Sequence, residues 1–256
     1  MQSVKPSQKK SVIAINREDF MKRWFAIALS VGFATALANM PWLKYGVIFE
    51  PSLPVDWEQI EQLARLFVAA FATVLSWDGY FRSIENKPIE DSARFFIDVF
   101  LVFLYLFLLL TSKFSYFWLW IHATAFLFYV AWDFFSIRKY RDAYINPGAA
   151  EDFAPSIKGV YVGSLGDDPQ VYRGPAVTLM WPIFFWVLPL SYHFALTELE
   201  RAKPITTFVY AFWVLCGLVA YRHDKNVRLP FWSRFKVIFL SVLGVLGSGL
   251  ILRLIG

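Results

Sequence analysis

Ser76-Trp77-Asp78-Gly79-Tyr80-Phe81-Arg82 closes a long apolar run, and Ala131-Trp132-Asp133-Phe134-Phe135-Ser136-Ile137-Arg138 closes another with the same Trp-Asp pair. A third run opens in mirror order, Arg94-Phe95-Phe96-Ile97-Asp98. Each segment sets an aspartate four or five residues to the apolar side of an arginine. At the helical rise this puts the carboxylate about 6–8 Å deeper than its cation. Charges so placed at the ends of runs near 20 residues long mark the ends of membrane-crossing helices, not the surface of a soluble core.

Composition agrees. Of 256 residues, 57% are hydrophobic and 20% aromatic, while the 18% that are charged cluster between the apolar runs. Soluble domains carry about a quarter charged residues, evenly spread. The net charge of +5 does not point to nucleic acid, because the basic residues form no single stripe and instead flank apolar segments. The lipid bilayer, with anionic head groups on the inner side, is the partner that this distribution fits. The single cysteine, Cys216, excludes an internal disulfide and is expected to be a buried free thiol.

The expected fold is an all-α integral membrane bundle of about seven helices. Residues 1–23 read as a basic cytoplasmic tail with at most a short surface helix, and residues 24–137 as transmembrane helices one to four. Residues 138–175 read as a cytoplasmic loop, in which Gly159-Val160-Tyr161-Val162-Gly163 and Val171-Tyr172 flank Gly166-Asp167-Asp168-Pro169. Alternation around that turn cluster predicts a small β-hairpin. Residues 176–256 read as helices five to seven. Ala28, Gly32 and Ala36 in span one, and Ser241, Gly244 and Ser248 in span seven, give small-residue faces suited to close helix packing. Pro182 and Pro189 fall on one face of span five, where they would kink it and free carbonyls.

Placing the N-terminus inside assigns 19 of the 25 lysines and arginines to the inner side. The outer side keeps Lys44, Arg65, Lys113, Arg201, Lys203 and Arg253. This asymmetry fits the positive-inside rule, and an odd number of spans then sets the C-terminus outside. No cleavable signal peptide is expected, since the first apolar run is a full span after a long polar lead. The expected location is an integral one, in the inner (plasma) membrane of a bacterium.

In this topology Asp78, Asp98 and Asp133 share the inner side and one depth. Arg82, Arg94 and Arg138 are their expected partners, the first two at helical i,i+4 spacing. A carboxylate at mid-helix depth costs about 2.5–3.5 kcal/mol on insertion scales, so each should face the bundle interior, water or a cation. Three together would make an ion or proton site. His122, in the outer half of span four, and His193, near the outer end of span five, would feed it from the other side; the bland reading, which membrane histidines favour, is a bond from each to a neighbouring backbone or hydroxyl group. The bland alternative is that each Asp–Arg pair staples a helix end, with Trp77 and Trp132 as head-group belt residues.

Walker A, GxGxxG, HExxH and paired-cysteine motifs do not occur in the chain. Asp78-Gly79, Arg82 and Asp98 resemble part of the aspartate motif of CDP-alcohol phosphotransferases but lack its Ala-Arg pairing and closing acidic triplet, so nothing carries over. Lys236 lies a turn from the inner end of span seven, and the orientation is opposite to that of retinal proteins. No cofactor and no metal is expected. The functional expectation is a non-enzymatic channel or secondary transporter for an ion, proton or small solute, with the Asp/Arg layer as its binding or coupling site. A structural subunit of a membrane complex is the alternative, and an enzyme acting on lipid phosphates the second alternative. Homo-oligomerisation or membership of a larger complex is left open.

Overall fold

The computed structural model describes residues 11–40, 57–86, 88–114, 117–139, 175–196, 204–226 and 231–255. A few side chains at helix ends, those of Arg82 and Arg138 among them, fall outside that description, as does most of the expected hairpin loop. The described residues form seven long helices: α1 Val12–Ala38, α2 Trp57–Asn86, α3 Ser92–Leu110, α4 Trp118–Lys139, α5 Pro175–Ala195, α6 Pro204–Asn226 and α7 Phe231–Ile255. No strand occurs among them. Six, all but α5, are long and apolar enough to cross a membrane. At 21 residues, α5 is about 30 Å long at the helical rise.

Local chemistry sets the helix ends. The Ser11 hydroxyl accepts from the backbone N–H of Ala14 at 3.2 Å, and the Asp91 carboxylate from that of Ala93 at 2.8 Å. Both satisfy N–H groups that a first turn leaves without a helical partner. At the far end of α3 the chain tightens into the 3-10 turn Thr111–Lys113, with the Thr111 hydroxyl donating back to the Phe107 carbonyl at 2.7 Å. Helix α1 begins well before the expected span. Ala14, Glu18, Met21 and Phe25 are buried at helical spacing, so Arg17 and Lys22 ride on the helix instead of in a tail. Arg17 donates to the Glu90 carbonyl at 2.8 Å and the Ser92 hydroxyl at 2.9 Å, which ties α1 to the start of α3.

The helices pack in two layers. One is a row in the order α1, α3, α4, α5, α7; α2 lies against α1 and α3, α6 against α5 and α7, and α2 and α6 touch each other. Small residues permit the close approaches. A Cβ on Gly32 would stand 2.8 Å from a Leu109 methyl, and one on Gly244 2.6 Å from the Trp213 ring. Ala28 and Ala36 are buried with Gly32. Both α5 prolines are buried on its packed side. Large apolar side chains face outward along α1, α3 and α7, such as Val31, Phe96, Phe107, Leu240 and Leu250, as hydrocarbon contact allows. Cys216 corrects an expectation: it is exposed, on the α6 face that also exposes Phe212 and Val219.

Candidate functional site

Past its first turns helix α3 is nearly all apolar, yet Asp98 and Tyr105 interrupt it seven residues apart, and Ser112, seven further on, lies in the 3-10 turn that follows. Seven residues are two turns with about 20° of drift, so Asp98 and Tyr105 share one face. All three are buried, Asp98 and Ser112 at 1% exposure. They mark three polar levels, about 10 Å apart along the helix axis.

At the first level the Asp98 carboxylate accepts from the Trp132 indole N–H of α4 and from the Tyr80 hydroxyl of α2, the latter at 3.3 Å. The guanidinium of Arg94 lies 4.6 Å from the centre of the Trp132 ring and donates to the Pro88 carbonyl at 3.3 Å. Trp132 is thus held by a cation on its face and a carboxylate at its edge, both favourable for an indole. The expectation of a lipid-facing belt residue is corrected, because an indole N–H inside the bundle finds a buried acceptor.

At the second level three hydroxyls meet. Tyr105 of α3 donates to Ser76 of α2 at 2.6 Å, Tyr129 of α4 donates to the same oxygen at 2.7 Å, and the two tyrosine hydroxyls touch. Aromatic rings surround this knot, with Phe25 6.1 Å from Tyr105, Phe126 5.6 Å from Tyr129 and Tyr221 6.3 Å from Tyr129.

At the third level the Ser112 carbonyl accepts from Arg65 Nε of α2 at 2.7 Å. Arg65 also donates to Glu61 at 3.2 Å, and Glu61 accepts from the Thr207 hydroxyl of α6 at 2.7 Å. The guanidinium is buried, and its hydrogen bonds and ion pair offset part of the desolvation that such burial costs.

Helix α4 answers α3 level by level. The antiparallel register that sets Tyr105 against Tyr129 puts Ser136 level with Asp98 and His122 level with Ser112. His122 and Ser136 are buried. Among the described residues none hydrogen-bonds His122 Nε2, Ser112 Oγ or Ser136 Oγ. His122 Nδ1 lies 2.8 Å from the Trp118 carbonyl, which can only accept. Nδ1 therefore carries a proton, and in the neutral imidazole Nε2 presents a lone pair. A buried polar atom left this way costs about 1–3 kcal/mol, so three along one seam are expensive compared with an apolar seam.

The other two expected aspartates lie on α2 and α4. Asp78 accepts from Arg222 Nη2 of α6 at 2.6 Å, a partner that spacing on its own helix does not offer. Asp133 is buried one residue beyond Trp132. The side chains of Arg82 and Arg138 lie outside the described residues. Among the described residues no three His, Cys, Asp or Glu side chains gather to hold a metal ion. The bonds described for Asp78 and Asp98 go to different partners, Arg222 for the first and Trp132 with Tyr80 for the second. His193 is exposed whereas His122 is buried.

Two charged groups were missed from sequence. One is the Glu61–Arg65–Thr207 set. The other lies where α5, α6 and α7 meet, at the helix ends nearest Asp78. Arg234 Nε donates to both Asp224 oxygens, at 2.9 and 2.8 Å, and the Trp181 indole donates to one of them at 3.0 Å. Arg234 and Asp224 are both buried. A cavity of about 100 Å³ adjoins them, lined by Trp181, Ala220, His223, Asp224, Arg234 and Val237. His223, at the end of α6, is exposed beside it.

No family model matches the chain, nor does any curated protein or solved structure.

Proposed function

We propose that the protein is a channel or secondary transporter whose path runs along the α3–α4 seam. One observation carries this reading: polar pairs recur at three levels along a mostly apolar membrane hairpin, Asp98/Ser136, Tyr105/Tyr129 and Ser112/His122, and three of their atoms have no protein partner among the described residues. Helix association is served by small residues and by polar side chains that bond across helices, and those three atoms make no such bond among the described residues. Polar and ionisable groups buried at membrane depth mark pathways by default, and atoms without partners suit bridging water. With the N-terminus inside, the Asp98 level is inner and the Ser112 level outer. The Asp98 carboxyl is then the inner binding or exchange group, and His122 the outer one. The expected membrane is a bacterial inner membrane.

Flux in liposomes of the purified chain tests the reading. Asp98→Asn should abolish flux of the carried species, and unchanged flux in that variant would end the proposal. Support for a structural role comes from the cross-helix matching of Asp78 with Arg222 and of Asp224 with Arg234, as helix stapling needs. Stable co-purification with another membrane protein and full tolerance of Asp98→Asn would favour that reading. An enzyme acting on lipid phosphates would need carboxylates gathered round a divalent cation, and among the described residues no such gathering supports it.

A further inference from the structure

We infer that the species carried along the seam is the proton, with the Ser76–Tyr105–Tyr129 knot as the selectivity barrier; this rests on the path proposed above. Ser76, Tyr105 and Tyr129 bring three hydroxyl oxygens into mutual contact, from α2, α3 and α4. Aromatic rings pack against the two tyrosines: Phe25, Phe126 and Tyr221, with Phe126 stacked on Phe185 at 3.6 Å between ring centres.

A hydrated metal cation or a polar solute meets a closed contact here. A bare cation would exchange its water shell for three neutral hydroxyl oxygens. Stripping such a charge of water costs several kcal/mol or more unless a full set of ligands replaces it. A proton has no such requirement. One proton binds an oxygen of the knot from one side while that oxygen's own proton leaves to the next acceptor, so the knot gains and loses one each time. Rotation of the hydroxyls then restores the starting arrangement.

The levels on either side suit this. His122, about 10 Å outward along α4, offers a bare Nε2. Asp98 lies the same distance inward along α3, with Tyr80 as a hydroxyl donor to it. Both gaps are the length of two or three hydrogen-bonded waters, and Ser112 and Ser136 supply hydroxyls at their ends. Titratable stations thus flank a barrier that relays protons without titrating itself.

The experiment uses liposomes of the full chain, with an internal pH dye and, separately, sodium- and potassium-sensitive dyes. Wild type should pass protons and neither metal cation. Joint Tyr105→Phe and Tyr129→Phe replacement keeps both rings and removes two hydroxyls, and should lower proton flux about a hundredfold, the scale of losing a positioned proton-transfer group. Ser76→Ala, the smaller change, should lower it in the same direction, and thermal melting in detergent confirms that each variant is folded. Sodium or potassium flux comparable to that of protons in wild type overturns the inference. So does full proton flux in a folded double Phe variant when Asp98→Asn abolishes it, and in that case the path itself stands. Absence of any flux in wild type removes the path and the inference together.

Discussion

Arg222 on α6 donates to Asp78 on α2 at 2.6 Å, and the guanidinium making that bond lies directly over Gly79. A Cβ at Gly79 would stand 2.2 Å from Arg222 Nη1, so the glycine beside the aspartate is the space in which the ion pair forms. The obstacle is the tip of a flexible side chain, not backbone. Gly79→Ala should therefore displace the guanidinium and leave α2 in place. Its cost should be that of the Asp78–Arg222 contact and should vanish in an Arg222→Ala background. A double-mutant cycle on melting in detergent reads this directly, with coupling of about 0.5–3 kcal/mol expected between touching residues. Additive effects would show that the glycine serves another purpose.

Arg234→Met should be far more harmful than its exposed-surface counterparts. It would leave the Asp224 carboxylate buried with the Trp181 indole as its remaining side-chain donor among the described residues. Removing one member of a buried pair costs about 3–5 kcal/mol, whereas replacing both can be nearly neutral. Joint Asp224→Leu and Arg234→Met replacement should thus melt higher than Arg234→Met alone. The opposite order would refute the view that the pair is energetically self-contained.

Arg65 uses two different nitrogens, Nε for the Ser112 carbonyl and Nη1 for Glu61. A lysine ammonium has no fork with which to reproduce both directions. Arg65→Lys should destabilise the protein by about 1–3 kcal/mol, the cost of a buried group losing its partner. Thr207→Val, which deletes the hydroxyl donating to Glu61 at 2.7 Å, should cost less but act in the same direction. Melting curves equal to wild type for the lysine variant would contradict this.

Cys216 is exposed on the same α6 face as Phe212 and Val219, a face suited to acyl chains. Its thiol should react with N-ethylmaleimide in the solubilised protein and resist a membrane-impermeant sulphonated maleimide in sealed vesicles. Mass spectrometry distinguishes the two, and rapid modification by the impermeant reagent from either side would place this face in water.

Much of the bundle was legible because apolar runs of span length are a one-dimensional signal. Even the 3-10 stop at Thr111-Ser112-Lys113 could be read from residue types. The early start of α1 could not, because Arg17, Asp19, Lys22 and Arg23 masked the helical spacing of Ala14, Glu18, Met21 and Phe25. The partners of the aspartates were hidden for a different reason. Spacing rules see only neighbours on the same helix, while the bond from Arg222 to Asp78 spans 144 positions. Trp132 looked like a belt residue because its place in sequence sets its depth but not the direction it faces. The Asp98, Tyr105, Ser112 recurrence was present in the sequence as a period-seven polar signal, and the corresponding count along α4 through His122, Tyr129 and Ser136 would have strengthened it.

The last turns of α6 grip in two directions. Arg222 reaches across to α2, while Asp224, two residues on, is held by Arg234 of α7 and Trp181 of α5. Mechanically α6 is a tie-rod: it cannot swing without pulling α2 on one flank or dragging α5 and α7 on the other. Any swing of α6 would therefore load those helices together, and the bonds from Arg65, Ser76 and Tyr80 of α2 pass that load on to the α3–α4 hairpin.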